Sequence, residues 1–202
     1  MSPRSKEQNA AIKDERREQL LLAALKVFAH KGFAATKIGD IAASAGMSHG
    51  LVYHYFKAKE DIFIELTRRA TTGAILHLQQ VDKLELSPAD KLRAIARSTL
   101  EVFDMSEESV YSYYLMVQAT ASDTGIAEVN DILQNFTVPM EITARAIAQG
   151  QADGTLIEGN PAEYALMFWA AVQGLAVCKV AGGASLRMPD GALLVRMLEK
   201  HG

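Results

Sequence analysis

The chain has 202 residues, of which 49% are hydrophobic, and a formal net charge of -3. A chain of this length and composition can bury a sizeable core, so a compact globular protein is expected. Its single cysteine, Cys178, excludes an intramolecular disulfide, and its five scattered histidines show no metal-ligand spacing. We therefore expect neither a metal nor another cofactor.

The charges are divided unevenly along the chain. Residues 1–70 contain 12 Lys and Arg against 8 Asp and Glu, whereas residues 71–202 contain 9 against 16. A basic segment joined to an acidic one suits a module that approaches a polyanion while the rest of the molecule is repelled by it. Ordinary scatter of charge is the alternative.

The chain lacks the sequence features of export and of membrane insertion. The first apolar cluster, Leu20–Leu22, follows the charged residues 13–18 instead of a short basic region. The longest apolar run, Tyr164–Val172, is too short to cross a bilayer. These features predict a soluble cytoplasmic protein that has no membrane partner.

The spacing of apolar residues predicts an all-α fold of about nine helices. Apolar residues recur at three and four positions, and alternating β-branched runs are missing. In the first part of the chain we expect helices over Asp14–His30, from a Thr36 cap to Gly46, from a Ser48 cap to near Tyr55, and from about Ala58 toward Gln80.

Prolines mark the boundaries of the later helices. Ser87-Pro88 and Asn160-Pro161 each have the pattern of an N-cap followed by the first helical residue. Between these two starts we expect helices over Glu107–Ala121 and Gly125–Ala152, the second of them kinked or broken at Pro139, and after them a last helix from Pro189 to Lys200.

Residues 38–55 carry the strongest functional signal. Ala42 permits the close approach of two helices, Gly46 can adopt a positive φ in the turn, and Val52 fills the angle between the helices. A plain helical hairpin would also place glycine in its turn. The second of these helices, however, has a small or polar outer face that suits a recognition helix in the major groove, with His49 and Gly50 nearest the bases. The residues of this face are Ser48, His49, Gly50, Tyr53 and His54.

A wider pattern surrounds this segment. It comprises Phe28, Gly32-Phe33, Thr36, Ile41-Ala42, Ala45-Gly46, Ser48, Tyr53, Tyr55-Phe56, Lys59-Glu60 and Ile62-Phe63. Residues 14–66 thereby resemble the DNA-binding domain of the TetR family. The resemblance implies that the DNA backbone is contacted by Thr36, Lys37, Tyr53, Tyr55 and Lys59. Leu51 departs from the family pattern, in which many members carry threonine, so its contact with DNA would be apolar.

The remaining two thirds of the chain are expected to bind an effector and to form a dimer, which gives domains 1–60 and 61–202. Asn160–Val180 is apolar nearly all round and needs cover on every side. The resemblance implies that this helix and the last one pair with those of a second copy, and a two-fold dimer predicts a near-palindromic operator. A monomer with this helix at its centre is the alternative. The expected interface residues are Ala165, Phe168, Val172, Leu175, Leu194 and Met197.

The middle helices are rich in aromatic and methionine side chains that could line a cavity. Such a cavity would take a small lipophilic or aromatic effector, although the same side chains are also typical of a packed core. The candidate effector-binding residues are Phe103, Met105, Tyr111, Tyr114, Gln118, Phe136, Met140, Trp169 and Gln173.

Taken together, these features predict a homodimeric transcriptional repressor that binds double-stranded DNA and is released by its effector. An architectural DNA-binding protein without an effector is one alternative. A small helical enzyme is another, with Asp104, Glu108 or His77 as its candidate groups. No set of nucleophile, base and orienting group is visible, so we expect no enzymatic activity.

Overall fold

The computed structural model describes residues 3–122, 124–134 and 137–200. Ten α-helices form within these ranges, where the only β feature is an isolated antiparallel bridge between Leu156 and Glu199. The predicted all-α fold is confirmed. The helices are α1 (Pro3–Ala35), α2 (Ile38–Ala45), α3 (His49–Tyr55), α4 (Lys59–Asp82), α5 (Pro88–Met105), α6 (Glu107–Ala121), α7 (Ala127–Gln134), α8 (Thr137–Ala152), α9 (Pro161–Gly182) and α10 (Ala192–Arg196).

The turns between α1, α2 and α3 follow from local chemistry. Gly32 (φ 74°) interrupts α1 near its end, and Gly46 (φ 62°) ends α2 in the left-handed conformation that glycine adopts without strain. The Ser48 hydroxyl accepts a hydrogen bond from the Leu51 N–H at 3.3 Å, which confirms the predicted cap of α3.

The predicted Thr36 cap of α2 is wrong. Lys37 is the residue that precedes α2, and its backbone N–H donates to the Asp40 carboxylate at 3.0 Å. The Thr36 hydroxyl instead donates to the Gly32 carbonyl at 2.7 Å, where it bridges the break in α1. Thr36 therefore belongs to the end of α1.

The first of two apolar cores lies between α1, α2, α3 and the first half of α4. α6 and α7 contribute Leu115, Ala119 and Val129 to it, so this core extends beyond residue 60. The fourth helix thus begins inside the N-terminal core. The residues of this core from α1 to α4 are Leu20, Leu21, Ala24, Leu25, Phe28, Ile41, Ala42, Val52, Phe56, Ile62, Phe63 and Leu66.

The second core lies between the rest of α4 and helices α5, α6, α8, α9 and α10, and the two predicted proline starts frame it. The Ser87 hydroxyl accepts from the Asp90 N–H at 3.2 Å, and the Asn160 side chain accepts from the Ala162 N–H at 3.0 Å. Both predicted caps are confirmed. Buried members of this core include Leu92, Ile95, Leu100, Met116, Ile147, Trp169, Val172 and Val195.

Two helix predictions need correction. The segment Gly125–Ala152 forms two helices, α7 and α8, and Pro139 lies in the first turn of α8, where a missing N–H removes no intrahelical bond. The last helix has five residues, because the chain after it pairs with the loop that follows α8. In that pairing the Ile157 N–H donates to the Leu198 carbonyl at 2.9 Å.

The apolar segment of α9 is longer than the sequence analysis expected. Residues Pro161–Ser185 are long and apolar enough to cross a membrane by length and composition, whereas the prediction considered only the run Tyr164–Val172. One side of α9 is buried against α8 and α6 through Ala165, Phe168 and Val172. We interpret α9 as a core helix with one uncovered face.

Candidate DNA-binding surface and ligand cavity

α3 presents its predicted recognition face to solvent. Ser48, His49, Gly50 and His54 are exposed, and Tyr53 is 55% exposed. On the opposite side Val52 is fully buried against α1 and α2, whereas Leu51 and Tyr55 are half-buried at the edges of the face. The helix is therefore anchored by one residue and leaves a small, polar surface free.

His49 and Gly50 differ in their surroundings. A Cβ atom at Gly39 would stand 2.8 Å from His49 Nε2, so the glycine of α2 makes room for the imidazole. A Cβ atom at Gly50 would meet nothing within 4 Å. The backbone of α3 at Gly50 can therefore approach another molecule closely.

Of the two residues predicted to contact phosphates before α2, one is exposed and one is buried. Lys37 is exposed, and no other side chain engages its ammonium within the described part of the chain. Thr36 is 1% exposed, and its hydroxyl is engaged by the Gly32 carbonyl. Thr36 therefore stabilises the turn and does not reach the surface.

Lys59, another predicted phosphate contact, is turned toward the end of α1. Its Nζ donates to the carbonyls of Phe33 and Thr36, at 2.9 Å each, and lies 3.4 Å from that of Ala34. It also lies 4.5 Å from the centre of the Phe33 ring. An ammonium has three N–H donors, and here carbonyls use them all. Lys59 therefore caps α1 and has no donor left for a phosphate.

Four charged side chains lock α4 onto α1. Arg69 donates to both Glu18 carboxylate oxygens, at 2.7 and 2.8 Å, and pairs with Glu65 at 2.7 Å. Arg17 donates to Glu65 at 2.6 Å and stacks over the Phe56 ring. The bond from Arg69 holds the pKa of Glu18 below its usual value. Burial acts to raise the pKa of Glu65, but Arg17 and Arg69 outweigh it, and the pKa is lowered.

A cavity of about 440 Å³ begins beside this ion-pair cluster. Helices α4, α5 and α6 form most of its wall, and Pro139 and Trp169 close it from α8 and α9. Its inner end is buried, whereas its outer end is exposed at Arg69, Gly73 and Glu108. The remaining lining residues are Ala70, Ala74, His77, Leu78, Ser98, Thr99, Val102, Phe103, Ser109, Ser112, Tyr113 and Met116.

The polar groups at the inner part of the cavity are not all satisfied. Trp169 Nε1 donates to the Thr143 hydroxyl at 3.0 Å, and His77 Nε2 lies 2.7 Å from the Ser98 hydroxyl. The Tyr113 hydroxyl, on a residue that is 9% exposed, has no hydrogen-bond partner among the described residues. Burial raises the pKa of Tyr113, which keeps the phenol protonated.

The cavity contains two of the residues that the sequence predicted, Phe103 and Trp169. Met105 is 83% exposed and, with Tyr111, borders a separate pocket of about 260 Å³ beside Lys179. Phe136 lies outside the described residues. The others, Tyr114, Gln118, Met140 and Gln173, do not line the cavity.

The prediction missed most of the cavity wall. The missed residues of α6 recur at helical spacing, namely Ser109, Ser112, Tyr113 and Met116. Small hydroxyl side chains beside a tyrosine and a methionine are the signal that could have identified this face, because a packed core would carry larger apolar residues there.

The predicted dimer residues of α9 mostly face inward. Ala165, Phe168 and Val172 are buried in the chain's own core, so they do not reach a surface in this structure. Leu175 and Leu194 pack partly against the same core, and Met197 is exposed. The outer face of α9 consists instead of Leu166, Met167, Ala170, Gly174, Val177 and Cys178, all exposed.

The three side chains considered as enzyme groups, Asp104, His77 and Glu108, are either hydrogen-bonded within the protein or exposed on their own. Asp104 accepts from Lys179 Nζ at 2.7 Å and from the Met188 N–H at 3.0 Å, and the hydrogen bond from Lys179 lowers its pKa. His77 is engaged with Ser98, and Glu108 stands exposed at the cavity entrance. Within the described ranges no three His, Cys, Asp or Glu side chains are grouped to hold a metal ion.

Comparison with known proteins identifies the helix-turn-helix. Residues 20–66 match the family described as bacterial regulatory proteins, tetR family. These residues therefore form a DNA-binding domain of the TetR type. The transcriptional repressor KstR2 of Mycolicibacterium smegmatis is 35% identical to this chain over 98 residues, which is 48% of each protein. KstR2 of Rhodococcus jostii is 26% identical over 166 residues, or 80% of each. The chain therefore spans about half of the first relative and four fifths of the second.

A solved structure supports the assignment of the fold. AibR in complex with isovaleryl coenzyme A and operator DNA superposes with a TM-score of 0.73 at 18% identity, over 91% of this chain and 97% of that one. Both of these relatives are transcription regulators and neither is an enzyme.

Proposed function

We propose that this protein is a cytoplasmic, ligand-responsive repressor of the TetR family that binds a near-palindromic operator as a homodimer and is released by a small lipophilic or aromatic effector. The observation that carries the proposal is the double role of α4. Its first half buries Ile62 and Phe63 in the helix-turn-helix core, and its residues 69–78 form one wall of the cavity. An architectural DNA-binding protein would have no use for such a cavity.

In the proposed complex α3 enters the major groove. His49, Gly50 and Leu51 stand nearest the bases, because a recognition helix presents its N-terminal residues there. The exposed hydroxyl, imidazole and ammonium groups around them bind phosphates. Thr36 and Lys59 act indirectly by holding α2 against the end of α1. The proposed phosphate contacts are Lys37, Ser48, Tyr53, His54 and Tyr55.

Coupling between effector and operator runs through Arg69. Its side chain lines the outer end of the cavity while its guanidinium binds Glu18 of α1 on both carboxylate oxygens. An effector that displaces Arg69 would shift α4 against α1 and change the spacing of the two recognition helices. Half-sites on DNA lie about 34–36 Å apart, so a small shift in that spacing weakens operator binding. Effector and operator then oppose each other reciprocally.

The homodimer forms through the uncovered face of α9. Leu166 and Met167 are each at least 60% exposed, and small residues at positions 170 and 174 permit close approach of a second helix. This face replaces the inward residues that the sequence pattern favoured. Domain limits of 1–60 and 61–202 describe the division of labour, with α4 shared between the two parts.

The first test selects bound duplexes from a random pool at two salt concentrations. Enrichment of a palindrome with two half-sites one helical turn apart supports the dimeric regulator, whereas an absence of enrichment contradicts it. The selected duplex then serves to screen small lipophilic compounds for release of the protein. Gly73→Leu is the control, because a Cβ at Gly73 meets nothing within 4 Å and a leucine at this lining position would obstruct the outer end of the cavity. The variant should bind the operator and fail to respond.

A further inference from the structure

The imidazole of His49 lies against α2 at Gly39. A Cβ atom added at Gly39 would stand 2.8 Å from His49 Nε2 and 3.2 Å from His49 Cε1. Apart from the chain neighbours of Gly39 and the backbone of α2, no other atom of the described chain lies within 4 Å of that position. The space beside Gly39 is therefore occupied by the His49 ring alone.

This space exists because residue 39 has no side chain. Ordinary van der Waals contact begins at 3.4 Å, so a Cβ at position 39 would push the end of the ring outward by about half an ångström or more. Gly39 does not have a positive φ, so its backbone conformation does not require glycine. Glycine inside a helix is also unfavourable relative to alanine. The feature that does require glycine at this position is the His49 ring.

The contact restrains a side chain that would otherwise be free. His49 is the first residue of α3 and is exposed to solvent. An exposed side chain samples several rotamers, and binding has to fix one of them at a cost in entropy. Contact with α2 limits these rotamers at the end of α3 that a recognition helix directs toward the base edges. The contact thus limits where the ring nitrogens can meet a base.

The charged group next to Gly39 is already engaged elsewhere. The Asp40 carboxylate accepts from Lys31 Nζ at 2.7 Å and from the Lys37 N–H at 3.0 Å. These bonds direct Asp40 toward the end of α1 and the start of α2. Steric contact with Gly39, and not an ion pair with Asp40, therefore positions the imidazole.

We propose that Gly39 is a positioning residue for base recognition, because it sets the orientation in which the His49 imidazole selects one base pair of each half-site. A side chain at position 39 would then change the preferred operator sequence without itself contacting DNA. The inference rests on the proposed function, since it takes α3 as the recognition helix. It goes beyond that proposal by assigning a determinant of the operator sequence to α2.

The test compares the wild type, Gly39→Ala, His49→Ala and the double variant. An operator is first selected from a random pool with the wild-type protein, and the selected duplex is then changed one base pair at a time. The affinity for each duplex gives the discrimination at each position. Ser44→Ala is the matched control, because Ser44 is exposed near the other end of α2 and alanine there also favours the helix.

The expected result is a change of preference at one position of each half-site. His49→Ala should reduce the discrimination there by about two- to tenfold, which is the contribution of one hydrogen bond. Gly39→Ala should change the preference at the same position by a similar factor and leave the other positions as they are. In the His49→Ala background it should have no further effect, because the ring that it displaces is absent. Ser44→Ala should match the wild type.

The unfolding temperature distinguishes a displaced side chain from a distorted helix. The atoms that would meet the new Cβ are the end of a flexible side chain. Gly39→Ala should therefore leave the unfolding temperature unchanged or raise it by about 1–4 °C. A lowered unfolding temperature would mean that α2 itself has to move, and it would overturn the inference.

Three results of the DNA measurements also overturn the inference alone. They are an unchanged base preference of Gly39→Ala, a uniform loss of affinity on all duplexes for either single variant, and an equal effect of Gly39→Ala with and without the His49 ring. Absence of any enriched duplex for the wild-type protein is a separate outcome. It would contradict specific DNA binding and remove the inference together with the proposed function.

Discussion

The Lys59 ammonium donates to the Phe33 and Thr36 carbonyls and lies over the Phe33 ring. Its interactions therefore stabilise the turn between α1 and α2. Lys37, four residues before Ile41, the first buried residue of α2, is exposed to solvent. Two lysines of the same helix-turn-helix thus have different environments, and their substitution should affect different properties.

Substitution of these two lysines by methionine separates stability from DNA binding. Lys59→Met should lower the free energy of unfolding by about 1–2 kcal/mol through the lost charged hydrogen bonds. Lys37→Met should leave stability unchanged but reduce the slope of log affinity against log salt by about one. Chemical denaturation and fluorescence anisotropy at several salt concentrations measure the two quantities. If the slope of log affinity against log salt fell equally for both variants, Lys59 would have to be counted among the phosphate contacts.

Two glycines predict opposite effects of adding one methyl group. A Cβ at Gly191 would stand 2.5 Å from the backbone of Ala96 in α5, so Gly191→Ala should cost about 1–3 kcal/mol through overpacking. A Cβ at Gly73 meets nothing within 4 Å inside α4, so Gly73→Ala should stabilise by about 0.5–1 kcal/mol. Thermal and urea denaturation test both, and stabilisation by Gly191→Ala would show that α10 can move away from α5.

At the scale of elements, the ion-pair cluster joins α1 to α4, the helix that lines the cavity. The cluster consists of Arg17 and Glu18 on α1 and Glu65 and Arg69 on α4. Both glutamates have lowered pKa values in the folded chain. Carboxylates of this kind stabilise the folded state above their unfolded pKa, near 4.3 for glutamate, and the stabilisation is lost as the pH falls through the folded pKa.

The cluster therefore predicts a specific acid sensitivity. The free energy of unfolding should fall as the pH is lowered from about 5 toward 3, and Glu18→Gln with Glu65→Gln should flatten that fall while reducing stability at pH 7. Urea denaturation across this pH range gives the measurement. Glu101→Gln, at an exposed position of α5, is the control and should retain the wild-type slope. An unchanged slope in the double variant would rule out the cluster as the source.

The elements also differ in how well the sequence predicts them. Caps at Ser48, Ser87 and Asn160 were predictable because each depends on a side chain and an N–H two or three residues away. α10 was overestimated because its end is fixed by a hydrogen bond from Ile157, more than thirty residues away in sequence. The position of Pro139 within its helix was also predicted wrongly. Proline is disruptive in the interior of a helix but tolerated in the first turn, and Pro139 lies in the first turn of α8.

At the scale of the whole molecule, the helix-turn-helix was more predictable than the cavity. Val52 and Gly46 define the helix-turn-helix within one short segment, so the pattern is local. The cavity is a space that small residues on three helices leave open together, such as Gly73, Ser98 and Ser112. No single helix shows that space, and large aromatic residues therefore drew the prediction toward positions such as Met105 and Tyr114, which do not line it.

The proposed dimer predicts the effect of one charge on the outer face of α9. Met167→Glu should leave the unfolding temperature at low protein concentration unchanged, because Met167 is 63% exposed, and should shift the protein from dimer to monomer. Operator affinity should fall by at least tenfold, since a monomer reaches only one half-site. Sedimentation velocity and anisotropy measure these effects. Leu84→Glu, at an exposed position after α4, should change neither, and a wild-type protein that sediments as a monomer would contradict the prediction.

The cysteine on this same face gives the unmodified protein a built-in reporter. Cys178 is exposed on α9 in the single chain, and it is the only thiol in the sequence. A dimer built on this face would shield it, so the rate of alkylation by a maleimide would depend on protein concentration and approach that of an open thiol on dilution. Labelling kinetics, with and without operator DNA or effector, would then follow association and dissociation in the native chain, with no substitution and no attached tag.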